Sequence, residues 1–165
     1  MQYLNVNLSG LRGKNHPCLS NIISVNQVQK LRPHLKLLSG DYLTYKTQFE
    51  RSQKGSPLCI ICELQEEETI LHILAICPHY EATRIRILKE IEITCEFSKT
   101  KLNFNSVVKH PKILTQFILD PTSFNLTTRV HINDPIVQQL FKLSRDLCFS
   151  IHSARMKKLK EMSEK

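Results

Sequence analysis

Four residues whose side chains bind metals lie close together near the middle of the chain. Cys59 and Cys62 form a C-x2-C pair, and His72 and Cys77 form an H-x4-C pair. The C-x2-C spacing lets two thiolates of one tight turn reach the same ion. Three thiolates and one imidazole match the tetrahedral coordination of Zn2+. The spacing therefore predicts a zinc site formed by Cys59, Cys62, His72 and Cys77.

Two other interpretations of these residues remain open. His79 competes with His72 as the fourth ligand, although it follows Pro78 on what should be the next helix. Alternatively, Cys62 and Cys77 are core residues and His72 is an ordinary helix histidine. If protein atoms fill all four positions, no position is left for an activated water, so the expected zinc ion is structural rather than catalytic.

The remaining reactive residues form no catalytic group. The four aspartates are far apart in the sequence, which gives no paired-carboxylate magnesium site, and no glycine-rich phosphate loop is present. His152 lies near Ser150 and Cys148, but proximity of this kind on a helix is common by chance. We expect no enzymatic activity and no small-molecule substrate. The three isolated cysteines should be packing residues: Cys18, Cys95 and Cys148.

The segments before the cluster have helical patterns. Apolar residues recur at helical spacing from Ser20, and Pro33 should kink or split this first helix. Gly40 is placed to end it, and Asp41 to cap the next one. In that second helix, "DYLTYKTQFERSQ", three residues should face inward: Leu43, Tyr45 and Phe49.

The cluster itself should start after a break at 55–57 and end in a short helix, "TILHILAIC". Pro78 should begin the following helix. Its core-facing residues should be Tyr80, Ile85, Leu88 and Ile91 or Ile93.

The C-terminal half contains the clearest helical signal. Residues 94–110 look irregular, 111–120 look like a short helix, and 127–132 look strand-like. Asp134 as N-cap and Pro135 at the first position then predict a helix over 134–160. Its apolar stripe is Ile136, Leu140, Leu143, Leu147, Ile151 and Leu159.

These patterns predict a mainly α fold: a small helical domain with a zinc-stabilised turn near its middle and a long C-terminal amphipathic helix. We expect a loose lead-in at 1–19, one domain at 20–160 that contains the zinc module 55–80, and a tail at 161–165. No window is apolar enough to span a membrane, and the first residues lack a secretory pattern. We therefore expect an intracellular protein of the nucleus or cytoplasm without a membrane partner.

The net charge of +8 is unevenly distributed. Residues 1–54 carry +6 and residues 99–165 carry +7, whereas residues 59–98, around the cluster, carry −5. Such basic arms are typical of proteins that bind polyanions through phosphate contacts. The candidate nucleic-acid contacts are Lys46, Arg51, Lys54, Arg84, Arg86, Arg155, Lys157 and Lys158.

Residues 37–84 also resemble a known segment. Leu37, Gly40 and Tyr42 lead to the four proposed ligands, with Glu67, Glu68 and Thr69 between the pairs and Pro78 and Arg84 after them. This arrangement resembles the zinc-binding CCHC segment that follows the polymerase domain in reverse transcriptases of non-LTR (LINE-type) retrotransposons. The resemblance extends less specifically over about residues 27–160.

The resemblance implies a zinc knuckle-like accessory module that helps a polymerase hold its RNA or target DNA. The polymerase aspartate motif is absent, so the chain looks like an isolated, non-catalytic fragment of such an element. The alternatives are a structural module that docks on a polymerase domain or a host protein through the 134–160 helix, and a retroelement remnant without function.

Overall fold

The computed structural model describes residues 17–19, 22, 24–97, 102–124 and 134–164. Helices dominate these residues, which confirms the mainly α prediction. Within them, no helix is long and apolar enough to cross a lipid bilayer. The α-helices are α1 (Val25–Ser39), α2 (Tyr45–Ser52), α3 (Glu81–Phe97), α4 (Phe104–Val108), α5 (Pro111–Leu119) and α6 (Pro135–Ser163). Shorter elements are 3-10 turns at Pro17–Leu19, Pro78–Tyr80 and Pro121–Ser123, and a π-helical segment at His72–Ile76.

Both ends of α1 are capped by side-chain and backbone hydrogen bonds. Ser24 and Gln27 form a capping box at its N-terminus. Gly40 follows the last turn with φ of 80°, and its amide donates to the Leu37 carbonyl, as the glycine predicts. The helix runs without interruption through Pro33, so the alternative of a split at this residue is wrong.

Helix α2 begins later than its sequence indicates. Its N-cap is Thr44, whose hydroxyl accepts a hydrogen bond from the Thr47 amide at 3.1 Å. The prediction of Asp41 as N-cap is wrong, because the Asp41 carboxylate accepts from the Ser39 hydroxyl instead. Leu43 is half exposed in the segment before the helix, so its inward placement is also wrong.

The prediction for the inward face of α3 is confirmed at Ile91, and Leu88 is partly buried against the core. Tyr80 is buried before it, as expected, and the buried residues of the helix are Arg84, Ile87, Ile91 and Cys95. Ile85 is 61% exposed, so its predicted inward placement is wrong. Regular structure also extends into the stretch expected to be irregular, since α3 continues to Phe97 and α4 covers Phe104–Val108.

Helix α6 is the central element and packs against α1 and α3. Asp134 caps it by accepting from the Ile136 amide at 2.9 Å, and Pro135 is its first residue, as predicted. It ends at Ser163, three residues past the expected end. The predicted strand-like residues 127–132 lie outside the described residues. Cys18, Cys95 and Cys148 are buried in the apolar core, whose fully buried members also include Phe117, Ile118, Leu119, Leu140, Phe141 and Leu147.

Candidate metal centre

A short chain reversal carries the first pair of cysteines. Leu58 and Glu67 form an antiparallel β-bridge. The Cys59 amide donates to the Glu66 carbonyl, and the Glu68 amide donates to the Pro57 carbonyl, each at 2.8 Å. These bonds fix the two ends of the 59–66 loop and present its sulfur atoms on one side.

Backbone amides in the loop point at the sulfur atoms. The amides of Ile61 and Cys62 donate to the Cys59 sulfur, and the amide of Leu64 donates to the Cys62 sulfur. Hydrogen bonds from N–H groups favour a thiolate over a neutral thiol. These amides favour the thiolate form of both sulfurs, although burial raises the pKa of Cys62 overall.

A π-helical segment brings the second pair together. In an α-helix, residues five apart point about 140° away from each other. Here the Cys77 amide donates to the His72 carbonyl at 2.7 Å, which is the wider i to i+5 turn of a π-helix. This wider turn places Cys77 close to His72, so the two side chains can reach the same metal ion.

The four donor atoms converge. One ligand atom from each of Cys59, Cys62, His72 and Cys77 lies within 4.8 Å of the other three. Metal–ligand bonds of about 2.0–2.3 Å in a tetrahedron place donor atoms about 3.5–3.8 Å apart. The cluster is therefore compact enough to hold a metal ion, as the spacing predicts. Cys59, His72 and Cys77 are buried, while Cys62 is partly exposed at the edge.

The ring of His72 is oriented by a carboxylate. Its Nδ1 lies 3.1 Å from Glu66 Oε2, and its Nε2 lies 3.3 Å from the Cys62 sulfur. A hydrogen bond from Nδ1–H to Glu66 leaves the Nε2 lone pair directed at the cysteines. Histidine ligands in metal sites commonly have such a carboxylate partner, which fixes the tautomer and the ring orientation.

The alternative ligand His79 is not part of this group. Its side chain is exposed and its ring lies against Tyr80, with 5.1 Å between ring centroids. Only its backbone takes part, because the His79 amide donates to the Cys77 sulfur. The structure thus favours His72 over His79 as the nitrogen donor.

The cluster stabilises negative charge even without an ion. A hydrogen bond from the Cys77 thiol, with smaller contributions from His72 and two amides, lowers the pKa of Cys59 to about 3 against the opposing effect of burial. The same hydrogen bond, together with burial, raises the pKa of Cys77. The hydrogen bond to Cys59 and then that to Glu66 raise the pKa of His72.

A buried ion pair connects Glu68, just after the 59–66 loop, to Arg155 on α6. Arg155 Nε and Nη2 donate to the two oxygens of Glu68 at 3.0 and 2.7 Å. Glu68 also accepts from the Tyr45 amide at 2.7 Å, at the start of α2. The guanidinium lies over the rings of Tyr42 and Tyr45, at 5.5 and 5.8 Å. Sequence reasoning missed this pair, although Arg155 follows Ile151 by four residues and so falls on the apolar stripe of α6.

The acidic loop therefore has three separate roles. Glu66 orients His72, Glu68 is fully buried against Arg155, and Glu67 pairs at the surface with Lys46 at 2.6 Å. The sequence indicated only a net negative charge around the cluster. The negative charge exposed at the loop is smaller than its number of acidic residues, because the Glu68 carboxylate is buried.

The candidate nucleic-acid contacts occupy different environments. Arg84 and Arg155 are only 7% and 4% exposed, so neither is placed to contact a phosphate backbone. Burial also lowers the pKa of Arg84. Lys46 pairs with Glu67, Arg86 lies 3.8 Å from Glu90, and Lys158 lies 4.0 Å from Glu161. Among the candidate contacts, the exposed cations that form no ion pair within the described residues are Arg51, Lys54 and Lys157.

Comparison of the chain with protein-family models, with curated proteins and with solved structures finds no match.

Proposed function

We propose that the protein is a non-catalytic, zinc-stabilised helical module. The observation that carries this proposal is the convergence of three sulfur atoms and one imidazole nitrogen within 4.8 Å. Sulfur-rich tetrahedral sets favour Zn2+ among the common divalent ions. Four protein donors leave no open coordination position, which is the arrangement of a structural site.

A neighbouring cation supports a thiolate-rich site. Three thiolates, a neutral imidazole and Zn2+ carry a net charge of −1, and a buried negative charge needs compensation. The buried guanidinium of Arg84 interacts electrostatically with Cys77. Its Nη1 has no hydrogen-bond partner within the described residues. In the proposed zinc-bound state Arg84 offsets this charge, which gives it a role at the metal rather than at a phosphate.

We further propose that the module binds RNA or DNA through its exposed basic residues. Arg51 and Lys54 lie at the C-terminal end of α2 and Lys157 lies on α6, all exposed and without an ion pair among the described residues. The resemblance to the reverse-transcriptase segment points to the same ligand class. Arg86 and Lys158 are secondary contacts because each has an acid within 4.0 Å.

Fluorescence anisotropy with single-stranded RNA and with duplex DNA tests this proposal. At about 50 mM salt we expect binding whose log affinity falls linearly with log salt, by about 0.7–0.9 per phosphate contact. The Arg51→Gln/Lys54→Gln double variant should lower the slope, whereas Lys109→Gln/Lys112→Gln, with the same charge change on another surface, should retain it. Absence of binding, or binding that does not depend on salt, would contradict the proposal.

The alternative of docking through the 134–160 helix has less support. Leu140, Leu143, Leu147 and Ile151 on its apolar stripe are between 0 and 4% exposed because α6 is covered by the other helices of this chain. A partner would have to use the end of the helix beyond Arg155, where Met156 is 48% exposed.

A further inference from the structure

A cavity between α1 and α6 lies apart from the metal cluster. Its volume is about 480 Å³, within the range of about 300–1,000 Å³ typical of small-ligand sites. None of its lining residues is acidic or belongs to the metal cluster; they are Gln29, Arg32, Pro33, Lys36, Tyr42, Phe149 and His152.

Two cations line this cavity from one face of α1. Arg32 and Lys36 are four residues apart, so their side chains lie one above the other on the helix. Neither forms an ion pair or a side-chain hydrogen bond within the described residues, although Lys30, two residues before Arg32, is paired with Asp146 at 2.7 Å. The positive charge in the cavity is therefore not neutralised by any residue that the structure describes.

The wall on the α6 side is fixed. The Tyr42 hydroxyl and His152 Nδ1 are 2.9 Å apart, and their rings meet edge to face. Burial, then Arg155 and Lys36, lower the pKa of His152, so its neutral form is favoured beside these cations. Phe149 adds a partly exposed aromatic ring next to the two cations.

We propose that this cavity binds a phosphate group carried by a nucleotide. A guanidinium and an ammonium on one helix face provide charge-assisted donors for phosphate oxygens. The Phe149 ring offers an apolar surface for the attached base. The phosphate comes from a free nucleotide or from one unit of a nucleic-acid strand. The inference goes beyond the basic surface of the proposed function, because neither Arg32 nor Lys36 belongs to that surface.

Calorimetric titration with adenosine 5′-monophosphate and anisotropy with a short single-stranded RNA test the proposal. We expect Arg32→Gln and Lys36→Gln to weaken binding of at least one probe by about tenfold, as loss of a charged hydrogen bond does. Lys112→Gln, which removes an equal charge from α5, should leave binding unchanged. Both cavity cations are exposed, so thermal melting should show that each variant remains folded.

The two probes separate the sources of the phosphate. If Arg32→Gln and Lys36→Gln weaken binding of the monophosphate, the cavity binds a free nucleotide. If they weaken only RNA binding, the phosphate belongs to a nucleic-acid strand. The inference is overturned if the monophosphate does not bind and RNA binding is unaffected by both variants, a result that leaves the basic-surface proposal intact. It is also overturned if Lys112→Gln weakens binding as much as Arg32→Gln. Conversely, Arg32-dependent monophosphate binding without any RNA binding would contradict only the nucleic-acid proposal.

Discussion

Arg155 on the last helix binds Glu68 beside the metal loop through two hydrogen bonds of 3.0 and 2.7 Å. The side chains are 5% and 0% exposed, so both charges are removed from water. A buried pair of this kind contributes little net stability compared with apolar residues, but an unpaired member is costly. We therefore expect the pair to act mainly by fixing the position of Glu68 and the preceding loop on α6.

Removal of one member of this pair should destabilise the protein strongly. We expect Glu68→Gln or Arg155→Met to lower the free energy of unfolding by about 3–5 kcal/mol, because the other charge stays buried without its counter-ion. Denaturant unfolding followed by circular dichroism measures this loss. Lys46→Gln, which breaks the surface pair with Glu67, is the control and should cost less than about 1 kcal/mol. Equal losses in all three variants would show that the buried pair has no special role.

Substitution of the metal ligands should separate His72 from His79. Protein purified without chelator should contain close to one zinc per chain by elemental analysis. Cys59→Ser and His72→Ala should lose the metal and unfold residues 55–80, because structural zinc supplies folding free energy. His79→Ala should retain the metal, since its ring is exposed and outside the cluster. Metal loss in His79→Ala but not in His72→Ala would refute the ligand assignment.

Glu66 should affect metal affinity without being a ligand. Glu66→Gln should weaken zinc binding about 10–100-fold, because the carboxylate that orients the His72 ring is lost. Competition with a chromophoric chelator measures the affinity. Glu63→Gln changes the same charge at an exposed position of the same loop and should have little effect. If the two variants were equally weak binders, loop charge rather than ring orientation would be the cause.

Acidification should release the metal. Binding requires deprotonated thiols and a neutral imidazole, so protons compete with zinc for all four ligands. The raised pKa values of Cys77 and His72 make these two ligands early sites of protonation as the pH falls, whereas the lowered pKa of Cys59 keeps this sulfur ionised longer. Stability that comes from zinc is thus present near pH 8 and lost towards pH 5. Melting temperatures with and without chelator should converge at the acidic end, and a gap that stays constant would contradict this prediction.

The sequence predicts the grouping of Cys59, Cys62, His72 and Cys77 and the start of α6 well because both signals are local. Donor spacing in 59–77 restricts the possible geometry, and Asp134 and Pro135 define a helix start whatever surrounds it. The π-helical turn at His72–Ile76 was not predictable, because its residue types are equally compatible with an ordinary α-helix.

The inward face of α3 depends on neighbours that local patterns do not reveal. Isoleucines occur at positions 85, 87, 91 and 93, so more than one face of the helix is apolar. The buried face is the one that meets α6 and includes Arg84. Local patterns have the same limit for Arg155. Its place on the apolar stripe of α6 indicates that it is buried, but it does not identify Glu68 as its partner.

The distance along the chain between Glu68 and Arg155 has a consequence for biosynthesis. The metal ligands span only 59–77, so this turn can form as soon as it leaves the ribosome. The ion pair that holds it on the core joins residues 87 positions apart and waits for the last helix to be translated. Domains generally fold as units, and contacts between distant residues form slowly. Until α6 emerges, the 59–77 turn is attached to helices whose common core is still missing.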